Sequence, residues 1–588
     1  SEMCIRDRIM YSFRRIKMQN NLLVFILKTI KIPKTLFSIS ILIASLGAIS
    51  TLTIPFFTGK LVDTFSLENI SLKLIFFLIS LFMITGLLNG VGNYLMGVVG
   101  EKINYSLRTI FFGKIIKLKT IFFDENDTGQ LISRVVDDTT IINSFLSSKL
   151  PNVFPSILTF IGSLILLMVI DYQMTLISLI SISLFILIII PIGNIMHKIS
   201  LKTQTETANF SAFLNKIFTE IRLVKVFNTE YKEIENSKKK LNNLYRLGVK
   251  EVLIESIITP VSSIVMLLTL VIILGVGGIR VSMGIISSGE LISMIFYVFQ
   301  LSNPINELLT FFTDYKKATG ASDRIYKIFH EEEEIVTPSN IEILNNEPII
   351  FKNVYFSHND NVILNNLSFT IPKNKVTAIV GPSGSGKTTI LNIIERLYTI
   401  SSGTIKYGSN SIYDISLSTW RKNIGYVMQD NPMINDSIKK NLLYGNSNNL
   451  TEKELTHFTK MTDSYDFINN TMNGFNTLIG ERGIRLSGGQ KQKLDLTRNI
   501  IKNPPVLLFD EATSNLDSES EKKIQMTIDK LNGYKTIVIV AHRLSTIKSA
   551  NQIIFLENGE ITGIGNHKDL LSNHKKYKSF VESQNVSI

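Results

Sequence analysis

Gly381-Pro382-Ser383-Gly384-Ser385-Gly386-Lys387-Thr388 decides the fold of half of this chain. The stretch has the form G-x-x-x-x-G-K-[ST]. It lies between an apolar run at 375–380, which reads as a strand, and an amphipathic stretch at 389–397, which reads as a helix. Strand, glycine-rich loop and helix in that order make a phosphate-binding loop (Walker A). The glycines let backbone N–H groups turn toward an anion at a helix N-terminus, where the peptide dipoles favour negative charge. Lys387 would reach the β- and γ-phosphates of ATP, and the Thr388 hydroxyl would ligate Mg²⁺. Gly381, Ser383, Gly384, Ser385, Gly386 and Thr389 complete the expected cradle.

Downstream, Val506-Leu507-Leu508-Phe509-Asp510 is an apolar run ending in an acid, followed at once by Glu511. A buried strand would present Asp510 at its edge to the Mg²⁺ shell, leaving Glu511 to orient or deprotonate the attacking water as general base. Alone, an acidic pair after a strand is also how a turn begins. With the phosphate loop upstream, it is the second half of an ATP site.

Between the two lies Leu486-Ser487-Gly488-Gly489-Gln490. Here the chain resembles the ABC transporter family, whose signature is LSGGQ, and the resemblance extends over nearly the whole chain after its first residues. It implies nucleotide sandwiched between two subunits, with Ser487, Gly488, Gly489 and Gln490 of one facing the γ-phosphate held by the other. One phosphate loop and one signature per chain then require two copies for two composite sites. By the same resemblance Gln429 is the Q-loop glutamine, catalytic alongside Glu511 and a Mg²⁺ ligand alongside Thr388 and Asp510. Ser514-Asn515-Leu516-Asp517 is the D-loop. His542, in Ala541-His542-Arg543-Leu544-Ser545 after a strand, is the catalytic switch histidine. Gly480-Glu481-Arg482-Gly483 resembles the exporter X-loop. One departure concerns the base: the family's adenine-stacking aromatic falls where this chain has His358, and Tyr355 lies nearby. Lys491, Lys493, Asp495 and Thr497 also depart from the usual run after the signature, without touching residues expected to meet phosphate.

Outward from this half, composition changes. The mean hydropathy of +0.22 averages an apolar half up to about Phe312 and an ordinary soluble half after Glu331. A membrane-crossing helix needs about 20 apolar residues, and six stretches qualify: 36–57, 71–98, 153–171, 173–196, 256–279 and 290–312. Much of the net charge of +12 sits in the two long segments between spans 2–3 and 4–5. Cytoplasmic loops carry such an excess, so both segments, the N-terminus around Arg14-Arg15-Ile16-Lys17 and the ATP-binding half are expected on the cytoplasmic side. No basic face with interleaved aromatics suggests nucleic acid. Cys4, the single cysteine, forms no intrachain disulfide. The opening SEMCIRDR matches nothing that follows and reads as an artefact of expression or joining, and no cleavable signal peptide is evident. The expected domains are an N-terminal segment 1–20, a transmembrane exporter domain 21–330, a linker 331–348 and an α/β P-loop ATPase domain 349–588. The acidic Glu331, Glu332, Glu333 and Glu334 read as solvated linker.

The membrane half resembles exporters of the type IV fold, with long cytoplasmic helical loops, and more nearly the homodimeric bacterial multidrug exporters. The resemblance rests on Tyr297-Val298-Phe299-Gln300, Pro304, Phe311-Phe312-Thr313 and Gly320-Ala321-Ser322-Asp323-Arg324. Phe122-Phe123-Asp124 with 128–134, and Glu220 to Phe227, look like the two coupling segments. This implies an ATP-driven, alternating-access pump for amphipathic drugs or lipids, a multi-pass protein of a bacterial plasma (inner) membrane paired with a second half-transporter. A dedicated lipid flippase or peptide exporter is the alternative, and an ATP-gated channel or sensor a more distant one. On span 6, Gln300, Asn303, Glu307 and Thr310 share a stripe at 100° per residue. Ionisable groups in a membrane face interiors or cavities, which makes Glu307 a candidate substrate contact.

Overall fold

Long apolar helices and short fully buried strands cannot share one core, and the chain divides accordingly in the structure, a computed structural model. It describes residues 25, 26, 28–30, 32–64, 72–334, 341, 343, 346–359, 361–446, 450–511, 518–541 and 543–585. The N-terminal segment 1–20, the D-loop residues Ser514 to Asp517 and His542 therefore lie outside the described residues. Two compact units form: Ser1–Ile115 with Gly129–His330, and Ile116–Thr128 with Glu331–Ile588.

The first unit is helical: α1 (Lys34–Asp63), α2 (Leu72–Ile115), a long helix α4 (Thr128–Ile170) following the short α3 (Thr120–Glu125) of the other unit, α5 (Tyr172–Thr219), α6 (Ile221–Val226), α7 (Glu230–Ser282), α8 (Ser288–Gln300) and α9 (Ser302–Phe329). Among the described residues, four helices are long and apolar enough to cross a membrane: α1, α2, α4 and α7. The expected stretch 173–196 lies in α5. The stretch 290–312 lies in α8 and α9, which meet at Leu301; that residue keeps helical angles (φ −68°, ψ −22°), and hydrogen bonds from the Leu301 N–H to Tyr297 and from the Ile305 N–H to Leu301 carry the ladder across it. Pro304 has no N–H for the carbonyl of Gln300, which loosens the ladder there. Gln300 keeps both amide atoms buried without a hydrogen-bond partner. Glu307 and Asp314 each lie 3.8 Å from the Lys149 ammonium.

Helix ends in this unit are tied by polar groups. Asp171 caps α5 through the N–H groups of Gln173 and Met174 and accepts 2.5–2.6 Å hydrogen bonds from Arg280 at the end of α7. Asp63 accepts from the Gly289 N–H and the Ser287 hydroxyl, both at 2.7 Å. Outward, large apolar side chains such as Phe76, Phe82, Val169 and Leu267 are more than half exposed, the surface a hydrocarbon solvent covers.

The second unit holds two sheets. An antiparallel sheet, order β2-β1-β4-β5, comprises β1 (Ile349–His358), β2 (Asn361–Ile371), β4 (Ser402–Tyr407) and β5 (Asn410–Ser411). The other, order β10-β9-β3-β8-β7-β6, comprises β3 (Val376–Val380), β6 (Ile424–Val427), β7 (Val506–Asp510), β8 (Thr536–Val540), β9 (Gln552–Glu557) and β10 (Glu560–Gly565). All its neighbours are parallel except β9 and β10. Strands β3, β7 and β8 are buried at every position, as a parallel sheet covered on both faces requires. Alternate residues divide between two cores. Ile379, Leu508, Val538 and Val540 face the antiparallel sheet and helix α10 (Lys387–Ile394), while Ala378, Val380, Leu507, Phe509, Ile537 and Ile539 face the opposite core. Trp420 on α11 (Leu417–Lys422) closes the first core, donating its indole N–H to the carbonyl of Ile394 at 2.7 Å.

The segment Ile116–Thr128, which the sequence suggests is part of the membrane half, packs in this second unit. Leu118 and Phe122 are buried, and Asp124 on α3 accepts a 2.9 Å hydrogen bond from the Tyr398 hydroxyl. The acidic run stays solvated at Glu331, Glu332 and Glu333, as read from the sequence, and gains partners there. Glu332 pairs with Lys119, the backbone of Glu333 bridges to Leu118, and Glu334 takes a two-pronged contact of 2.7 and 2.8 Å from Arg421. The fork geometry of guanidinium on carboxylate gives that contact direction as well as attraction.

Candidate nucleotide-hydrolysing site

Strand β3 delivers its chain into the loop 381–386 and then into α10, and the glycines meet real constraints there. Gly386 has φ +98° and Gly384 φ +79°, a region open to glycine at no steric cost. A Cβ on Gly381 would lie 2.0 Å from the carbonyl oxygen of Leu556. Lys387 curls back, donating to the carbonyls of Gly381 (2.9 Å) and Pro382 (2.8 Å), and its side chain is buried. Burial lowers its pKa, with Glu511 and Asp510 pulling the other way. The Ser385 hydroxyl is buried with no hydrogen-bond partner. A buried hydroxyl with no partner among the described residues, and a lysine that donates to the loop's own carbonyls at a helix N-terminus, fit a polyphosphate. Ser383, Gly384 and Thr388 are exposed and Thr389 half-buried on the same rim.

The Thr388 hydroxyl donates to Asp510 Oδ1 at 3.1 Å, joining the loop to the end of β7. Burial raises the Asp510 pKa, and the adjacent Glu511 adds to the rise; Thr388, Tyr426 and Lys387 oppose it. A hydroxyl and a carboxylate at this distance are the oxygen donors that Mg²⁺ takes beside phosphate and water. Directly after β7, Glu511 has φ +51°, outside the region that a non-glycine residue ordinarily occupies. Its carboxylate accepts from the Gln429 amide at 3.2 Å. Thus β3 and β7, which flank β8, and the edge strand β6 beyond β7 bring Lys387, Thr388, Gln429, Asp510 and Glu511 to the same end of one sheet, where ligands of open α/β sheets bind.

Two residues of this constellation carried no sequence signal of their own. Tyr426, three positions before Gln429 on β6, places its hydroxyl 3.0 Å from Asn392 Oδ1 and 3.4 Å from Asp510 Oδ2. Gln492 is buried and donates to the Glu511 carbonyl at 3.3 Å.

The signature residues stand at the other end of helix α12 (Gly488–Lys502). Ser487 is its N-cap, accepting from the Gln490 N–H at 3.2 Å, while Gln490 Oε1 accepts from the Ser487 N–H at 3.0 Å, a reciprocal capping box. Gly488 and Gly489 supply the first helical N–H groups. His358 ends β1, half-buried, its Nε2 3.5 Å from Asn359 Nδ2. Tyr355 is partly exposed, and the buried Phe356 stacks on Tyr398 at 5.5 Å.

Residues 37–305 match the profile of the ABC transporter transmembrane region, and residues 364–514 match that of the ABC transporter. A "Multidrug resistance ABC transporter ATP-binding and permease protein" of Lactococcus lactis subsp. cremoris is 34% identical over 93% of this chain and 93% of its own. The chain belongs to the ABC transporter family. This ABC transporter is also 31% identical, over 82% of its length and 80% of the relative's, to an "ATP-dependent lipid A-core flippase" of Syntrophus aciditrophicus. Its fold matches a solved bacterial Atm1-family ABC exporter with ATP bound, at TM-score 0.79 and 25% identity, covering 94% of this chain and 98% of the other. The transporter thus joins a transmembrane helical domain to an ATPase domain on one polypeptide, and couples ATP hydrolysis to transport.

Proposed function

We propose that this chain is a homodimeric, six-span exporter of amphipathic drugs or lipids in a bacterial plasma membrane, with its ATPase domain cytoplasmic. The observation that carries the ATPase assignment is the Gln429–Glu511 contact at 3.2 Å, set beside the Thr388–Asp510 pair at 3.1 Å. Lys387, Ser385 and the loop N–H groups bind the phosphates, and Thr388, Asp510 and Gln429 would hold Mg²⁺. Bound there, the ion would neutralise charge on the transferring phosphoryl group. Glu511 takes the proton of a water whose oxygen bonds to the γ-phosphorus as the bond to the bridging oxygen breaks, releasing ADP and phosphate. His542 is proposed as the γ-phosphate contact, and His358 and Tyr355 as the surface for the base.

Pairing with a second copy is supported by the single phosphate loop and the single signature, Ser487 to Gln490, that one chain carries. It is also supported by exposed apolar residues at and after α6, with Val226 79%, Phe227 67% and Tyr231 87% exposed. Such residues next to a charged helix fit docking on another polypeptide. The relatives named for multidrug resistance and for lipid A flipping support the substrate class.

Proteoliposomes loaded with ATP test the reading by assaying dye efflux and lipid flipping side by side, with Glu511→Gln as the inactive reference. Transport of dyes lost in Glu511→Gln supports a multidrug pump; flipping without dye transport moves the assignment to lipid export. Uphill accumulation separates a pump from a gated channel. Glu307→Gln is expected to lower efflux of cationic dyes while sparing basal ATP turnover, because its carboxylate on α9, with that of Asp314, is the acidic partner of Lys149. Unchanged cation efflux would sink the role of Glu307.

A further inference from the structure

Burying a carboxylate in a helix interior between Leu494 and Leu496 costs free energy unless every oxygen finds partners. Asp495 is such a residue: its side chain on α12 is wholly buried. Its Oδ1 accepts from Arg498 at 2.5 Å and from Asn499 at 3.2 Å, and its Oδ2 accepts from the backbone N–H of Met428 at 3.2 Å. Met428 is the residue before Gln429. It follows the last paired residue of β6, Val427, which is in register with Phe509 of β7. Where the sheet ends, Asp495 supplies the acceptor for the next N–H group.

The neighbours of Asp495 grip the same loop on either side. Asn499 donates to the Tyr426 carbonyl at 3.1 Å, and both terminal nitrogens of Arg498 donate to the Pro432 carbonyl at 3.3 Å. Gln429 is thus bracketed by three backbone contacts from one turn of α12, and Asn431 donates to its carbonyl at 3.0 Å. The Gln429 side chain then meets Glu511, whose own carbonyl is held by Gln492 of the same helix. An apolar residue at 495 would suit the surrounding core but would leave the Met428 N–H and the Arg498 guanidinium without their acceptor. Asp495 touches no residue expected to meet phosphate, but it bonds the residue next to Gln429.

We infer that Asp495 is a positioning residue for ATP hydrolysis, fixing the backbone of the Gln429 loop so that the glutamine amide meets Glu511. The inference rests on the proposed roles of Gln429 and Glu511. Helix α12 carries the signature at its N-terminus and grips the Gln429 loop with its third turn. A single rigid element therefore reaches the partner's nucleotide at one end and the chain's own hydrolytic glutamine at the other.

The test is a double-mutant cycle on the full-length transporter in lipid vesicles, reading kcat and KM for ATP in Asp495→Ala, Gln429→Ala and the pair. Asp495→Ala is expected to lower kcat about tenfold with KM changed less than about twofold, since a displaced catalytic group affects turnover more than binding. In the Gln429→Ala background the same substitution is expected to add nothing. Full multiplication of the two losses, or an unchanged kcat in Asp495→Ala, overturns the inference. If Asp495→Ala does not assemble or Gln429→Ala has no turnover to compare, Asp495→Asn decides. It keeps the volume and one oxygen, and a lowered kcat at unchanged KM supports positioning, whereas equal changes in both, or none, overturn it. Glu511→Gln run in parallel separates the two levels. Wild-type turnover in that variant overturns the site assignment beneath the inference, while loss there with an unaffected Asp495→Ala overturns the inference alone.

Discussion

Glu511→Gln is expected to lower ATP turnover about a thousandfold while leaving nucleotide binding intact, because it removes a proton acceptor and keeps the shape of the side chain. The amide can still meet Gln429 and the backbone can still hold φ +51°, so the loss falls on chemistry rather than on architecture. Phosphate release measured against binding of a fluorescent ATP analogue distinguishes the two. With hydrolysis blocked, the two ATPase domains are expected to stay together around uncleaved ATP, visible as a cross-link between copies that wild type loses with time. A variant retaining a tenth of wild-type turnover would place the general base elsewhere. The backbone of Glu511 gives that outcome little room. A non-glycine residue in this region costs about 1–3 kcal/mol and persists where surrounding contacts over-determine it, here the Gln492 amide on its carbonyl and its own N–H on the Val540 carbonyl.

Trp420→Ala is expected to destabilise the second unit by about 4 kcal/mol, the range for deleting a large buried aromatic. Trp420 is 1% exposed, stands edge-on to Tyr407 at 5.4 Å between ring centres, and holds the carbonyl of Ile394 at the end of α10. Removing it leaves a cavity in the first core and an unpaired carbonyl on the helix that begins at Lys387. ATP affinity is therefore expected to fall together with the unfolding temperature. It is the only tryptophan of the chain, so wild-type fluorescence reports this unit, and circular dichroism or calorimetry is needed for the variant. An unfolding midpoint within about 1 °C of wild type would contradict the packing argument, since about 1 kcal/mol already moves it by several degrees.

How much of this was legible in the sequence varies with how local each feature is. The strand ending at Val380, the glycines of the phosphate loop and the buried strand ending at Asp510 each satisfy constraints set within a few residues, and each stands in the structure as the pattern implies. The capping box of Ser487 and Gln490 is equally local. Span 6 passes from α8 to α9 at Leu301 with its helical angles kept, as its apolar composition implies. The partners of the acidic run at 331–334 and of the segment Ile116–Thr128 were hidden for a common reason: the residues they meet lie far away in sequence. Asp495 shows the limit in another way. As a letter it is only a departure from a familiar run. Its meaning depends on an N–H group of another strand, Met428, that no periodicity announces. Glu307 and His358 stand between these cases, named by type and position and surrounded in the structure by Lys149 and Asn359 respectively.

The hydrogen bond between Asp124 and Tyr398 joins residues 274 positions apart. During synthesis at about 5–20 residues per second, the ribosome delivers α3 tens of seconds before the strand-and-helix body on which it rests. Leu118 and Phe122 are made early and buried late. For that interval they are open to a chaperone, a protease or another nascent chain. A ribosome stalled anywhere before Tyr398 leaves the hairpin between α2 and α4 unfinished, and translation speed through residues 331–398 becomes a determinant of yield. Slowing that region with rare codons, without changing one amino acid, is therefore expected to lengthen the exposure and lower the fraction of chains that mature.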